Sequence, residues 1–242
     1  MPAPARTSER GPWRVEWFAT LDSTNRRALD AARDGAPGGL VVVADEQTAG
    51  RGRLGRTWEA AAGSSLLVSV LLRRAGEPGR AVMAAGVALA GAVEQVAGIP
   101  ARLKWPNDLV VDDRKLAGLL AEADGDALVV GAGCNVNWEA FPEDLAATAT
   151  ACNLEAGRPV DRDALLDVFL DRFATALASG DAVVEDYRAR LATVGRTVRV
   201  EHVRGDDVVG TAVGVTDAGA LVVRDAQGHD HTVVAADVHH LR

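Results

Sequence analysis

The sequence predicts an α+β domain followed by a small all-β barrel. Residues 40–44 form a continuous apolar run and residues 64–72 (SSLLVSVLL) a largely apolar one, which are typical of strands buried in the middle of a domain. Residues 79–98 carry apolar side chains at helical spacing. From Gly195 onwards, short β-type runs alternate with Gly and Asp turns, as they do in small barrels.

The change of pattern divides the 242 residues near Val194. We expect a larger domain at 13–194 and the barrel at 195–242, because this length suits one large domain with a small appendage. Residues 1–12 are polar and rich in Pro, Ala and Arg, and we expect them to form a disordered tail.

Local signals define the remaining elements. The first strand is predicted at 13–18, and Asp22, Ser23 and Thr24 are N-cap residues for a helix that runs to Ala32. Capping alone accounts for these residues, although a helix start can also present donors to a ligand. The later elements are predicted as strands at 102–105, 109–111, 115–123 and 127–134, a loop at 135–150, and helices at 161–179 and 181–193.

Composition limits the classes of partner. The net charge of -8 argues against a general nucleic-acid binder, whose surface must neutralise phosphates. Cys134 and Cys152 form no metal or disulfide spacing, so a reducing cytoplasm is expected. The longest uncharged helical run, 81–93, is shorter than the ~20 residues that cross a bilayer, and the N-terminus lacks a signal-peptide core. We expect a cytoplasmic protein that binds neither membranes nor nucleic acids.

One segment carries most of the chemistry. Residues 50–58 (GRGRLGRTW) alternate three glycines with three arginines directly after a predicted core strand. Glycine lets the main chain approach a ligand closely, and the arginine fork suits carboxylates and phosphates. An anion-binding loop and a solvated basic turn both fit this composition.

Four further segments accompany this loop: LDSTN at 21–25, KWPNDL at 104–109, RKLAGLLAE at 114–122 and GAGCNVN at 131–137. In this order and spacing the chain resembles the biotin protein ligases, from about residue 15 to residue 242. The resemblance implies a mixed, mostly antiparallel sheet flanked by helices, as in lipoate ligases and class II aminoacyl-tRNA synthetases, followed by a C-terminal SH3-like β-barrel.

The resemblance also implies a reaction in two steps. Biotin and ATP, with Mg²⁺, form biotinyl-5′-adenylate and pyrophosphate. A lysine of the biotin carboxyl carrier protein or domain of an acetyl-CoA or acyl-CoA carboxylase then takes the biotin and releases AMP. A lipoate ligase and a non-catalytic ligand-binding protein are the two rival interpretations.

Site residues follow from the matched motifs. The residues expected to bind biotin are Ser23, Thr24, Asn25, Gln47, Arg51, Gly52, Arg53 and Lys115. Those expected to bind the nucleotide are Arg51, Arg53, Arg56, Trp58, Lys104, Asn107 and Asn135. Arg53 and Lys115 are the expected catalytic residues, and Asp108 is the candidate Mg²⁺ ligand. Hydroxyl and amide groups suit a ureido ring, and fixed cations can stabilise charge on the phosphates.

The chain departs from part of the family at its N-terminus. Some members carry a winged helix-turn-helix there, whereas the first predicted strand here begins at Trp13, so we expect no repressor activity. The resemblance allows a homodimer, since some members pair and others stay monomeric. His229, His231, His239 and His240 match no metal-ligand spacing, and we expect them to face solvent.

Overall fold

The computed structural model describes residues 2–73, 77–201, 207–234 and 236–241. Within these residues, an eight-stranded mixed sheet forms the larger domain, in the order β1-β2-β3-β4-β8-β7-β6-β5. The strands are β1 (Arg6–Arg10), β2 (Trp13–Leu21), β3 (Leu40–Gln47), β4 (Ser65–Arg73), β5 (Arg102–Lys104), β6 (Asp108–Val111), β7 (Arg114–Asp124) and β8 (Ala127–Asn135). Neighbouring strands are antiparallel except β2 and β3, which are parallel and therefore need a crossover between them.

Helices cover this sheet. The helices are α1 (Thr24–Arg33), α2 (Pro78–Ala97), α3 (Glu143–Ala146), α4 (Cys152–Ala156), α5 (Arg162–Ala178) and α6 (Ala182–Arg190). The crossover between β2 and β3 contains α1, whose N-cap is Ser23, as predicted. The predicted loop at 135–150 contains the short helix α3.

The core helix α2 packs against α5, α6 and the sheet. It starts with Pro78 in its first turn and ends at Gly98, which has a φ of 76° and is therefore a favourable C-cap. The helix, with 20 residues and a mean hydropathy of 1.3, is long and apolar enough to cross a membrane by length and composition alone. However, 67% of that stretch is buried inside the protein, as expected for a core helix.

Helical periodicity places Leu165, Leu166, Phe169, Phe173 and Leu177 on one apolar face of the helix predicted at 161–179, but the buried face of α5 is shorter in the structure. Leu165, Leu166, Phe169 and Phe173 are buried, as predicted, whereas Leu177 is 36% exposed. Leu177 lies in the last turn of α5, so the periodicity extends beyond the point where the helix packs on the core.

The prediction of a disordered N-terminal tail is wrong for residues 6–10. These residues form β1, which pairs antiparallel with β2 at the edge of the sheet. The guanidinium of Arg6 lies 4.0 Å from the centre of the Trp17 ring and donates to Asp163 at the start of α5. These partners are distant in sequence, so the composition of the segment could not reveal them.

The C-terminal residues form a small antiparallel β domain, which confirms the predicted class. Its strands are β9 (Thr197–Glu201), β10 (Val208–Val215), β11 (Leu221–Arg224), β12 (Asp230–Val233) and β13 (Asp237–His240). They are arranged in the order β12-β11-β10-β9-β13 around buried residues such as Val198, Leu221 and Val223. The last strand, β13, lies beside the loop 50–58, and this contact brings the two domains together at one cavity.

Candidate active site

A cavity of about 220 Å³ opens where α1, the loop 50–58, the β6–β7 hairpin and β13 meet. It brings together residues from segments that are far apart in the sequence. The predicted site residues that line it are Ser23, Thr24, Asn25, Gln47, Arg51, Gly52, Arg53, Arg56, Trp58, Lys104, Asn107, Asp108 and Lys115. Asn135 is the predicted site residue that does not line it.

One wall of the cavity is formed by uncharged polar groups at the start of α1. The Thr24 amide donates to Gln47 Oε1 at 2.7 Å, and the Ser23 hydroxyl accepts from the Arg26 amide at 3.5 Å. Because a backbone amide can only donate, this contact orients the side-chain amide of Gln47 with its oxygen toward Thr24. The Nε2 donor of Gln47 is therefore turned the other way.

Asn25 is held by partners that the sequence analysis missed. Its Oδ1 accepts from the Ser69 hydroxyl at 2.6 Å, and its Nδ2 donates to Glu122 Oε2 at 2.8 Å. A Cβ atom at Gly131 would lie 2.9 Å from Asn25 Cγ and closer still to Oδ1, so only glycine fits there. Two features of the sequence could have indicated these partners: a serine within the largely apolar run 64–72, and the glutamate that ends RKLAGLLAE.

The loop 50–58 folds back on itself. Arg51 and Thr57 form an antiparallel bridge, and the Trp58 amide donates to the Gly50 carbonyl at 3.0 Å. A Cβ atom at Gly50 would collide with the Trp58 carbonyl oxygen, so glycine permits this closure. The closed loop directs its arginines toward the cavity and its surroundings.

Each loop arginine has a different partner. Arg51 Nη2 is 2.7 Å from Glu122 Oε2, and Arg56 Nη2 is 2.6 Å from Asp237 Oδ1 on β13. Arg53 Nη1 donates to Asn107 Oδ1 at 3.3 Å, and Arg53 Nη2 donates to the Ala236 carbonyl at 3.3 Å. Burial lowers the pKa of the Arg53 guanidinium, which stays charged because arginine titrates far above neutral pH.

Lys115 lies opposite the loop, on β7. Its Nζ is 2.8 Å from Asp108 Oδ1 on β6 and 5.5 Å from the centre of the Trp58 ring. The indole rests on two glycines of the sheet, since a Cβ atom at Gly133 would lie 2.5 Å from Trp58 Cε2 and one at Gly118 would lie 3.1 Å from Cζ3. Lysine, carboxylate and aromatic ring therefore meet at one point of the cavity.

The cavity also includes groups from the C-terminal domain. Asp237, Val238 and His239 line it, although the sequence analysis assigned no site residue to this domain. The strand pattern alone did not show which end of the small domain would face the loop.

The contact of Asn135 with the nucleotide stays a prediction, and in the structure its side chain lies outside the cavity lining. Asn135 is 4% exposed, and its Nδ2 donates to the Thr150 carbonyl at 3.0 Å. The segment 148–150 also bridges Lys115 through Ala149, so the amide of Asn135 serves this local contact.

The histidines differ in environment. His229 is exposed, whereas the His240 side chain is only 7% exposed and lies 3.2 Å from Thr193 Oγ1, so the prediction that it faces solvent is wrong. Burial lowers the pKa of His240. The His231 ring lies 2.7 Å from Asp225 and, by hydrogen bonding, lowers the pKa of that carboxyl to about 2. Among the described residues, no group of three or more His, Cys, Asp or Glu is placed to hold a metal ion.

Two known protein families match parts of this chain. Residues 17–137 match the biotin/lipoate A/B protein ligase family, and residues 193–241 match the biotin protein ligase C-terminal domain. The first match covers most of the mixed sheet and the loop 50–58, and the second covers the small β domain. The chain belongs to the biotin protein ligase family.

Individual relatives agree over nearly the whole chain. A biotin–[acetyl-CoA-carboxylase] ligase of Mycobacterium tuberculosis is 38% identical, over 95% of this chain and 90% of the relative. A protein of the same name from Paracoccus denitrificans is 33% identical, over 91% of this chain and 98% of the relative. The solved Aquifex aeolicus biotin protein ligase in complex with biotin and ATP is 28% identical, with a TM-score of 0.85, over 94% of this chain and 99% of that chain.

Proposed function

We propose that this protein activates biotin with ATP and transfers it to a lysine of a biotin carboxyl carrier protein or domain. The observation that carries the proposal is the cavity itself, which joins an uncharged hydrogen-bonding wall to a glycine loop with three arginines and to Lys115. Relatives named biotin–[acetyl-CoA-carboxylase] ligase support an acetyl-CoA or acyl-CoA carboxylase as the acceptor.

The uncharged wall is suited to the ureido ring of biotin. That ring offers two N–H donors and one carbonyl acceptor. The Asn25 oxygen can accept from the ring, because the nitrogen of the same amide already donates to Glu122. The Gln47 nitrogen can donate to the ring, because the oxygen of the same amide already accepts from Thr24. Ser23 and Thr24 add hydroxyl groups at the same helix start. The wall therefore offers hydrogen-bond donors for the ring carbonyl and acceptors for its N–H groups.

The cationic part of the cavity is suited to forming the adenylate. A biotin carboxylate oxygen attacks the α-phosphorus of ATP, and the bond to the pyrophosphate oxygen breaks. Both reactants are anionic, so Arg51, Arg53 and Lys115 would hold them together and stabilise the charge that develops on phosphorus. Arg56, Lys104 and Asn107 would contact the phosphates, and Trp58 offers the aromatic ring for adenine.

ATP arrives as its magnesium complex. Mg²⁺ offsets the charge of the phosphates and is usually held by them together with one or two carboxylates. Asp108 fits this requirement as a cavity carboxylate, and it would exchange its contact with Lys115 for the metal.

Transfer follows in the same cavity. The carrier lysine attacks the acyl carbon of the adenylate, the bond to the phosphate oxygen breaks and AMP leaves. Lys115 would stabilise the oxygen charge that develops in this step as well. The loop 50–58 would limit the access of water to the mixed anhydride.

We place the reaction in the cytoplasm, a reducing compartment that agrees with the unpaired Cys134 and Cys152.

Calorimetry and pyrophosphate release test this proposal together. The purified protein is titrated with biotin and, separately, with lipoate, and pyrophosphate is then measured with each acid plus ATP and Mg²⁺. We expect biotin binding and biotin-dependent pyrophosphate release. Lipoate-dependent release would replace the substrate while keeping the chemistry. Biotin binding without release would contradict the catalytic roles of Arg53 and Lys115.

A further inference from the structure

The Glu122 carboxylate lies behind the cavity and contacts both the uncharged wall and the loop 50–58. Glu122 Oε2 accepts from Asn25 Nδ2 at 2.8 Å and from Arg51 Nη2 at 2.7 Å. Asn25 belongs to α1 and Arg51 to the loop 50–58, and both line the cavity, whereas Glu122 lies on β7 outside its lining. The Glu122 side chain is 25% exposed, so solvent screens this ion pair only in part.

Glu122 provides the shorter of the two acceptor contacts that fix the direction of the Asn25 amide nitrogen. An ionised carboxylate cannot donate, so the nitrogen of the amide must face Glu122. The Leu120 carbonyl accepts from the same nitrogen at 3.3 Å, and the Ser69 hydroxyl donates to Oδ1 at 2.6 Å. Both N–H bonds of Asn25 are thereby engaged, and the amide can offer a ligand only the second lone pair of Oδ1. Asn25 is therefore an acceptor toward the cavity.

The ion pair with Arg51 adds a second effect. Arg51 bridges Thr57 through its backbone, so a side chain held by Glu122 also ties one end of the loop to β7. The carboxylate thus couples the orientation of the uncharged wall to the position of a loop cation.

We propose that Glu122 is a positioning residue that makes the cavity selective for a ligand with an N–H donor at Asn25. This inference rests on the proposed function, since the biotin ureido ring carries N–H groups and the lipoate ring carries none. Without Glu122, the Asn25 nitrogen keeps only its longer bond to the Leu120 carbonyl at 3.3 Å, so the amide is freer to turn and present its nitrogen, which would repel a ureido N–H. Arg51 would lose its carboxylate partner at the same time.

The test compares the full-length protein with Glu122→Gln, which keeps the size of the side chain and adds a donor. We expect biotin Kd and KM to rise about tenfold or more, as for a donor left without its acceptor, while the KM for ATP, which is affected only through the loosening of Arg51, rises by a clearly smaller factor. The matched control is Glu16→Gln, because Glu16, on β2 of the same sheet, also holds two side chains, Arg14 and Arg27, but lies away from the cavity. A merely structural role of Glu122 would lower the thermal midpoint or kcat without separating the two KM values.

Two further variants connect the effect to Asn25. Ser69→Ala removes the other side chain that orients the amide, together with its 2.7 Å contact with Thr24 Oγ1, and it should also raise biotin Kd even if Glu122→Gln folds poorly. In an Asn25→Ala background, Glu122→Gln should cost clearly less biotin affinity than in the wild type, because the two residues act together.

Two results would overturn the proposal. One is a biotin Kd within about twofold of the wild type in Glu122→Gln and Ser69→Ala; the other is an equal loss in the Asn25→Ala background. A wild-type protein that fails to bind biotin would refute the proposed function and this inference together. Wild-type biotin binding with unchanged variants would refute the inference alone.

Discussion

Replacing Gly131 with alanine should disable the uncharged wall of the cavity without touching its cations. The new Cβ atom would lie 2.9 Å from Asn25 Cγ and closer still to Oδ1. Asn25 cannot move aside while it keeps its bonds to Ser69 and Glu122, at 2.6 and 2.8 Å. We therefore expect the side chain to turn away and leave a biotin N–H without its acceptor. A buried donor left unsatisfied costs about 1–3 kcal/mol, which raises biotin Kd about 5- to 140-fold.

Isothermal titration with biotin measures this change. Gly214→Ala is the matched control, because nothing lies within 4 Å of a Cβ atom built there. ATP-dependent steps should be affected only through biotin binding, so saturating biotin should restore most of the pyrophosphate release. Gly131→Ala with wild-type biotin affinity and an unchanged thermal midpoint would refute the reasoning, since the overlap with Asn25 leaves no unperturbed arrangement.

Four other variants test three residues of the cavity and Asp225 of the C-terminal domain. Lys115→Gln should slow biotin-dependent pyrophosphate release about 10²- to 10³-fold, because a cation is lost where charge develops, and a loss below tenfold would contradict that role. Arg53→Gly should let the adenylate escape and label an added bystander protein, and unchanged retention would show that Arg53 does not hold it. Asp237→Asn removes the charge of the carboxylate 2.6 Å from Arg56 and should raise the KM for ATP at most about fivefold, because the Arg56 side chain is 61% exposed; unchanged kinetics would make the contact incidental. Asp225→Asn should lower the thermal midpoint at about pH 5, and this difference should vanish near pH 2. The hydrogen bond from His231 lowers the pKa of Asp225 to about 2, so its contribution is present above the unfolded pKa of 3.8 and is lost as the pH falls through about 2. A difference that stays constant over this range would contradict the assignment.

Much of the fold could be predicted because its signals are local. The apolar run at 40–44 is part of β3, Ser23 caps α1, and Gly98 ends α2. Each of these depends on a few neighbouring residues, either through the burial of a continuous run or through the hydrogen bonds of a helix end. The N-terminal strand β1 could not be predicted in this way, since it depends on Trp17 and on the start of α5.

The family, the order of the motifs and most of the charged residues around the cavity can be inferred from the sequence alone. Glycines and arginines at fixed spacing leave a pattern that is visible without any fold. The folded domain is needed to show that Asn135 binds Thr150, that Asp237 contacts the loop and that Glu122 binds both Asn25 and Arg51. These contacts join strands and loops that are distant in sequence, and they depend on which strand lies beside which in the sheet. Sequence periodicity reports the face of a strand, whereas its neighbours are set by the packing of the whole domain.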